Sequence, residues 1–520
     1  WVSGAISNFM TKFSTFIFVA YAGIAYEHGL VALTLIWSTV LPALIGVAFF
    51  ARRWRRAGIM TPMEFLETRY NMPVRQLFSW SGVFFKILDN MVRLYALGLF
   101  VAAATPMSLQ MSILICGIIV ALYTVVGGLW AVVITDVVQF IILMVATIIL
   151  VPLTIQAAGG LEQMKMAIPD HFTWFNGPKG MPLFLFVYYL MILVKYSGNW
   201  TFIQRFYSVR DEKASEKQGM LTAVFFLLFP IIFLFPSLAA RAILPNLENP
   251  EMAYVSVCLE LLPTGIMGLM IAAMFAATMS VLSGEYNVTA GVLTKDIYQR
   301  LFNPKAEGKE ILWVGRIMTL FLGGLITVGA LYVGGFGGAF EANKLFTGLF
   351  ALPMTLPLVL GIVLKRPSPG GALATVIGGM ILGLFLNGQS NLSWEMATLI
   401  EIIACVGIYL ASGFIPSKDQ AYVQRVNAFF IKLATPLSEA EKPKVDYNFM
   451  RIMNRLYAVA LLITGLLFAA MSIPSIYETS GQFAMSAAIV CLILAIFLWG
   501  RNSMAKKNEP IWANTQEVDP

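Results

Sequence analysis

Lys86, Asp89, Asn90 and Arg93 follow one another at offsets of 3, 4 and 7 within an otherwise apolar stretch. Those offsets place all four on one helical face. A charge at the centre of a bilayer costs at least about 2.5 kcal/mol, so the face must turn inward. Lys86 lies about nine residues into its span, about 14 Å at 1.5 Å per residue, which makes escape to the interface by snorkelling strained. Asp89 can pair with Lys86 or Arg93. The stripe is then either a self-neutralising network between helices or a polar wall or gate facing a solute.

Two further runs put polar groups at membrane depth. One holds Ser7, Asn8, Thr11, Lys12, Ser14 and Thr15; the other holds Lys195, Tyr196, Ser197, Gly198, Asn199 and Thr201. Unwound backbone is tolerated there only where it is buried in protein or lines a cavity, and paired breaks in two halves of a chain point to a transporter's central site. Hydroxyls that bond back to their own helix would explain either run by itself. A third cluster, Ser280, Ser283, Gly284 and Asn287, shares one helical face. Its small residues suit close helix packing, and its oxygens suit a weakly bound Na⁺. Asp136 follows Ile134 and Thr135 at the start of a predicted span, where a carboxylate is stabilised by the helix dipole.

The elements that must hold these groups are transmembrane. Of 520 residues, 58% are hydrophobic and 12% are charged, about half the charge usual in soluble domains. Gly98 to Thr135, Val137 to Ala158 and Gly219 to Ala240 carry no Asp, Glu, Lys or Arg, and about 20 apolar residues span a bilayer core. Hydropathy predicts spans 1 to 10 near 5–26, 30–51, 77–104, 110–133, 136–158, 182–206, 219–244, 264–291, 311–335 and 343–364. Spans 11 to 14 follow near 370–387, 394–414, 453–473 and 482–500.

With the amino-terminal side of span 1 cytoplasmic, basic residues collect on the cytoplasmic side: Arg52, Arg53, Arg55 and Arg56; Arg205 to Lys217; Lys295 to Lys309; Lys365 and Arg366; and the tail with Arg501, Lys506 and Lys507. Only Lys165, Lys179, Arg241 and Lys344 fall outside, as the positive-inside rule requires. The net charge of +7 therefore orients loops and is no sign of a nucleic-acid partner. Cys116, Cys258, Cys405 and Cys491 show neither metal nor disulfide spacing, His28 and His171 fall in exterior loops, and no HExxH, CxxC, phosphate loop or nucleophile elbow is present. An enzyme is not indicated and no organic cofactor is expected.

The stretches Tyr123 to Gln139 (YTVVGGLWAVVITDVVQ), Ile203 to Ser215 (IQRFYSVRDEKAS) and Ala272 to Tyr298 (AAMFAATMSVLSGEYNVTAGVLTKDIY) make the sequence resemble the sodium/solute symporter family. The resemblance covers spans 1 to 10. It implies a five-plus-five inverted-repeat core with broken helices 1 and 6 and about four additional C-terminal helices. Carried over by position, it implies a Na⁺ site formed by the backbone carbonyls of Met10, Phe13 and Ala277 and the hydroxyl of Ser280. Val281 stands where a second hydroxyl is usual. A further Na⁺ site of some members would use Asp136, Ser280 and Ser283. Lys12 stands in the first break where relatives have a neutral residue. It is open to reading as a partner for Asp136 or Asp89, a built-in cation, a proton-linked switch or a clamp for an anionic solute. Ile17 and Ile36 replace the Gln and Glu of sugar carriers. Members also carry one more helix before core helix 1, and the chain opens on Trp1, so an upstream segment is expected.

The combined expectation is an all-α polytopic membrane protein: a first repeat at 1–158, a second at 182–364, peripheral helices at 365–500 and a cytoplasmic tail at 501–520. It would be a secondary active transporter in a bacterial inner membrane, coupling Na⁺ to a small organic solute by alternating access. Lys12 and Lys195 near the breaks favour a carboxylate-bearing solute, with Ser14, Tyr196 and Asn199 beside them. The alternatives are a Na⁺-independent or proton-linked exchanger or uniporter in which Lys12 replaces the cation, and a membrane solute sensor. The sequence carries no signal of oligomeric state.

Overall fold

Both polar runs are breaks in the backbone. The computed structural model describes residues 1–507 apart from 11–12, 60–61, 127–128, 176–180, 390, 416, 418, 443–446, 474–475 and 478. Span 1 runs as Val2–Met10, stops, and resumes as a π-helical turn, Ile17–Tyr21, followed by Ala22–His28. Span 6 runs as Met181–Ser197, stops at Gly198 and Asn199, and resumes as Trp200–Tyr207. A break frees backbone groups that a continuous helix would have paired internally; at the second break Asn199 Oδ1 accepts from the Phe202 amide at 3.2 Å and caps the restart.

The other spans are Val31–Ala57, Met72–Ala104, Leu109–Val126, Leu129–Ala157, Glu212–Ile243, Thr264–Val292 extended by a π-helical Leu293–Phe302, Lys309–Ala330 and Ala339–Gly361. Spans 11 to 14 are Pro369–Asn387, Trp394–Ala411, Tyr447–Ser472 and Thr479–Lys507. Among the described residues nine helices are long and apolar enough to cross a membrane unaided. Several start at side-chain caps. Asn71 accepts from the Val74 amide at 3.1 Å and Asp211 from the Ala214 amide at 2.8 Å. These caps move the starts of spans 3 and 7 outward from the predicted 77 and 219, because hydropathy sees only the apolar part of a helix.

Spans 3, 4, 8 and 9 pack on one another. Spans 1, 2 and 6 gather around span 7, span 5 bridges spans 7 and 8, and spans 13 and 14 form a hairpin against span 5. Spans 11 and 12 pair and lean on spans 10 and 6. A helix at Gln420–Ala434, unforeseen from hydropathy, buries Tyr422, Val426, Phe429 and Leu433 and packs on Ala51–Ala57 and Pro62–Arg69. Next to it the fully buried Arg69 donates to the carbonyls of Gly361, Leu364 and Pro367, closing the end of span 10. A cation there answers both the orphan carbonyls and the negative end of the helix. All four cysteines are free and buried.

Candidate functional site

Span 3 presents its stripe to the middle of the molecule. Lys86, Asp89 and Asn90 are buried and Arg93 nearly so. Because span 3 begins at Met72, Lys86 lies fourteen residues in, about 21 Å from that end. Its partner is not Asp89, as the spacing had allowed, but Glu285 of span 8: Nζ and Oε2 are 2.7 Å apart and both side chains are 6% exposed.

Asp89 instead anchors a three-helix junction. Arg93 donates to its Oδ2 from Nε at 3.1 Å and Nη2 at 3.0 Å. Asn343 of span 10 donates to Oδ1 at 3.2 Å, and Lys195 of span 6 lies 3.6 Å from that oxygen. Lys195 Nζ donates to Thr347 Oγ1 at 2.8 Å and to Asn343 Oδ1 at 3.3 Å. The stripe is thus both a network and a wall. Asp89, Arg93, Lys195, Tyr196 and Asn199 line a small cavity of about 40 Å³ between the two breaks, together with Phe13, Tyr21 and Asn343. Asn90 is buried beside this wall, its Oδ1 without a partner among the described residues. Ser14 Oγ and Ser197 Oγ, one at each break, are also buried and unpartnered among those residues. An orphan hydroxyl costs about 1–3 kcal/mol and signals a ligand or water.

Above the cavity, on the face opposite the Arg52–Arg56 cluster, an aromatic layer closes it. The hydroxyls of Tyr21 and Tyr188 meet at 2.7 Å, linking spans 1 and 6. Phe340 stacks on Tyr188 at 5.9 Å and meets Tyr21 edge-on at 5.7 Å. Beyond that layer opens a vestibule of about 560 Å³ lined by Glu27, His28, Glu251, Glu341, Lys344 and Glu395 among others. Glu251 accepts from the Ala339 and Phe340 amides at 2.8 and 3.4 Å, capping the helix that carries Asn343. Burial pushes its carboxyl above the ordinary value, against the pull of those two amides. Toward the arginine-rich face, Gly198 lies so close to Thr355 that a Cβ would fall 2.6 Å from it, and Gly82 abuts the Trp200 ring.

The residues expected to hold Na⁺ come together in part. Thr15, at the restart of span 1, donates its amide to Thr278 Oγ1 at 2.9 Å and its hydroxyl to the Met274 carbonyl at 2.9 Å. These bonds fix the first break against span 8 beside Ala277 and Ser280, both buried. The Met10 carbonyl accepts from the Phe13 amide at 3.1 Å, which leaves a second lone pair. The Phe13 ring stacks on Phe9, with centroids 4.3 Å apart. Ser283 donates its proton to the Ser280 carbonyl at 3.0 Å, keeping oxygen lone pairs for a cation. Oxygen donors of this kind fit Na⁺. Lys12 lies outside the described residues, as does the side chain of Asp136. The Asp136 backbone corrects one expectation: span 5 starts at Leu129, so Asp136 is about 10 Å inside the helix and no dipole at a helix start explains it.

Sequence reading passed over Glu285, Thr278, Asn343 and Thr347. Glu285 had a signal, as the one charged residue in Thr264–Val292. Asn343 and Thr347 had none, since their roles arise from partners in spans 3 and 6.

A model of the sodium:solute symporter family matches residues 1–379. The chain belongs to that family. Its members are transporters. The chain is 27% identical to the sodium/glucose cotransporter of Vibrio parahaemolyticus over 423 residues, covering 74% of this chain and 77% of the relative. It is 26% identical to the sodium/sialic acid symporter NanT of Aliivibrio fischeri over 475 residues, covering 85% and 91%. Human sodium/myo-inositol cotransporter 2 is 29% identical over 380 residues, 63% of this chain and 55% of that one. In fold the chain is similar to a substrate-bound, outward-open Na⁺-coupled sialic acid symporter, with a TM-score of 0.68, 22% identity and coverage of 80% of this chain and 90% of the other. The all-α core with broken helices 1 and 6 agrees with the expected fold.

Proposed function

We propose that this symporter moves a small carboxylate-bearing organic solute together with Na⁺, through a site between the breaks of spans 1 and 6. One observation carries the choice of solute. Among the described residues, the buried charges at this centre are three cations, Lys86, Arg93 and Lys195, against two anions, Asp89 and Glu285. Entry of Na⁺ adds positive charge, and an anionic solute offsets it where a neutral one does not. Lys195 and the orphan hydroxyls of Ser14 and Ser197 supply the donors.

In this reading the arginine-rich face is cytoplasmic, the vestibule is extracellular, and the repeats are 1–158 and 182–364. Met10, Phe13, Ala277 and Ser280 serve one Na⁺; Asp136, Ser280 and Ser283 serve a second. The cation must bind the outward-facing state more tightly than the inward-facing one, otherwise it biases nothing. With two Na⁺ and one carboxylate, one net positive charge enters per cycle, and a membrane potential of 100 mV then contributes about 2.3 kcal/mol, enough for roughly 50-fold accumulation. The test is uptake into proteoliposomes from a panel of labelled carboxylates, sugars and polyols, with and without an inward Na⁺ gradient. Na⁺-driven accumulation of a carboxylate supports the reading. Accumulation of a neutral sugar alone, or carboxylate uptake indifferent to Na⁺, overturns it.

A further inference from the structure

Span 12 carries a carboxyl group that the transport site does not use. Glu401 lies two turns inside Trp394–Ala411. It is 0% exposed, and both of its carboxyl oxygens are buried with no hydrogen-bond partner among the described residues. Span 11 is shaped to receive it: a Cβ on Gly383 would sit 2.8 Å from Oε1, closer than real Cβ atoms come.

Among the described residues the surroundings supply no counter-charge. Span 11 has no ionisable residue in Pro369–Asn387. Span 10 has only Glu341 and Lys344, which pair with each other at its outer end, and none from Thr347 to Gly361. Span 6 offers Tyr188, Tyr189, Lys195 and Tyr196, and Lys195 is engaged by Asp89, Asn343 and Thr347. On span 12 itself stand Glu395, Cys405 and Tyr409, the last hydrogen-bonded to Tyr70. An ionised carboxylate without a cation or donor is the most expensive polar group to bury, and a carboxyl group escapes that cost by keeping its proton.

We propose that Glu401 is a proton-binding site outside the transport core, held as the neutral acid between spans 11 and 12 and deprotonated only when those helices part from span 10. The site is wired to the solute site by one short segment. Thr398, a turn before Glu401, faces Gly348, whose added Cβ would lie 3.8 Å from the threonine hydroxyl. Gly348 belongs to the π-helical Thr347–Ala351, and Thr347 receives Lys195. A rearrangement of span 10 around Lys195 is therefore felt at Glu401, and by linkage the proton acts back on the cycle. The proposal goes beyond the solute reading and stands if that reading fails.

Infrared difference spectra of the purified full-length protein, wild type against Glu401→Gln and Glu401→Asp, test it. At neutral pH the wild type shows a protonated-carboxyl C=O band that shifts in D₂O, is lost in Glu401→Gln and moves in Glu401→Asp. The unfolded chain releases this proton above about pH 4 whereas the folded chain keeps it, so wild-type Tm falls relative to Glu401→Gln as pH rises. Glu401→Gln retains uptake and loses part of its pH dependence. Absence of the band in the wild type overturns the proposal. So does a rise in Tm with Na⁺ at fixed pH in wild type but not in Glu401→Gln, which makes the group an ionised cation ligand.

Discussion

Replacing Lys195 with Met removes the one cation that reaches the central cavity from the break in span 6. The fold tolerates the change, because Asp89 keeps two bonds from Arg93 at 3.0 and 3.1 Å and one from Asn343 at 3.2 Å. Thr347 loses only a donor. Among the described residues the centre falls from three cations and two anions to two of each. A charge-assisted hydrogen bond to a carboxylate is worth about 1.5–3 kcal/mol, so on the proposed reading KM for the anionic solute rises roughly 10- to 150-fold. Lys195→Arg restores part of the loss. The assay is initial Na⁺-driven uptake in proteoliposomes across a solute titration, with Tm confirming that each variant is folded. A folded Lys195→Met protein with unchanged KM would refute both the charge count and the assignment of Lys195 to the solute.

Neutralising Lys86 or Glu285 singly strands a buried charge on the other helix and costs about 3–5 kcal/mol, whereas Lys86→Met combined with Glu285→Leu regains most of it; a double-mutant cycle on thermal stability measures this. Thr278→Val leaves the Thr15 amide without its acceptor, at about 1–3 kcal/mol, and raises the Na⁺ concentration for half-maximal uptake; an unchanged Na⁺ titration removes this contact from the cation site. Asp136→Asn suppresses Na⁺ stimulation of uptake while the protein still folds, read by the same titration alongside Tm. Near the arginine-rich face, burial works against ionisation of Glu67, but Arg300 and Arg75 outweigh it and hold its carboxyl below the ordinary value. Its stabilisation is complete above about pH 4 and is lost as pH falls through the lower folded value, so Glu67→Gln flattens the acid limb of the Tm profile.

What was legible in the sequence follows from the range of the forces involved. Apolar runs of about 20 residues are local facts, and they located the spans. The two breaks were visible because Ser, Asn, Gly and Lys crowd together at membrane depth. The helix at Gln420–Ala434 escaped because its signal is a periodic stripe, Tyr422, Val426, Phe429 and Leu433, in a segment with little mean hydropathy. Pairings escaped for a different reason. Lys86 had Asp89 three residues away and took Glu285 from another helix; Asp89 is occupied by Arg93, Asn343 and Lys195, and only tertiary packing brings Asn343, Lys195 and Glu285 to span 3.

The same packing explains how the site can open. A cavity of about 40 Å³ holds a little water and no organic solute, so binding requires the aromatic layer of Tyr21, Tyr188 and Phe340 to part. That layer joins the outer half of span 1 to spans 6 and 10 through one hydroxyl pair and ring contacts, each worth about 1 kcal/mol. The charged junction beneath it is costlier to break, because removing a partner there strands an ion. The arrangement therefore yields first at the aromatic lid facing the vestibule and keeps Asp89, Arg93 and Lys195 together. On the proposed reading, a carboxylate entering from the vestibule meets Lys195 while Asp89 is still held by Arg93 and Asn343, so the wall need not be dismantled for the solute to bind.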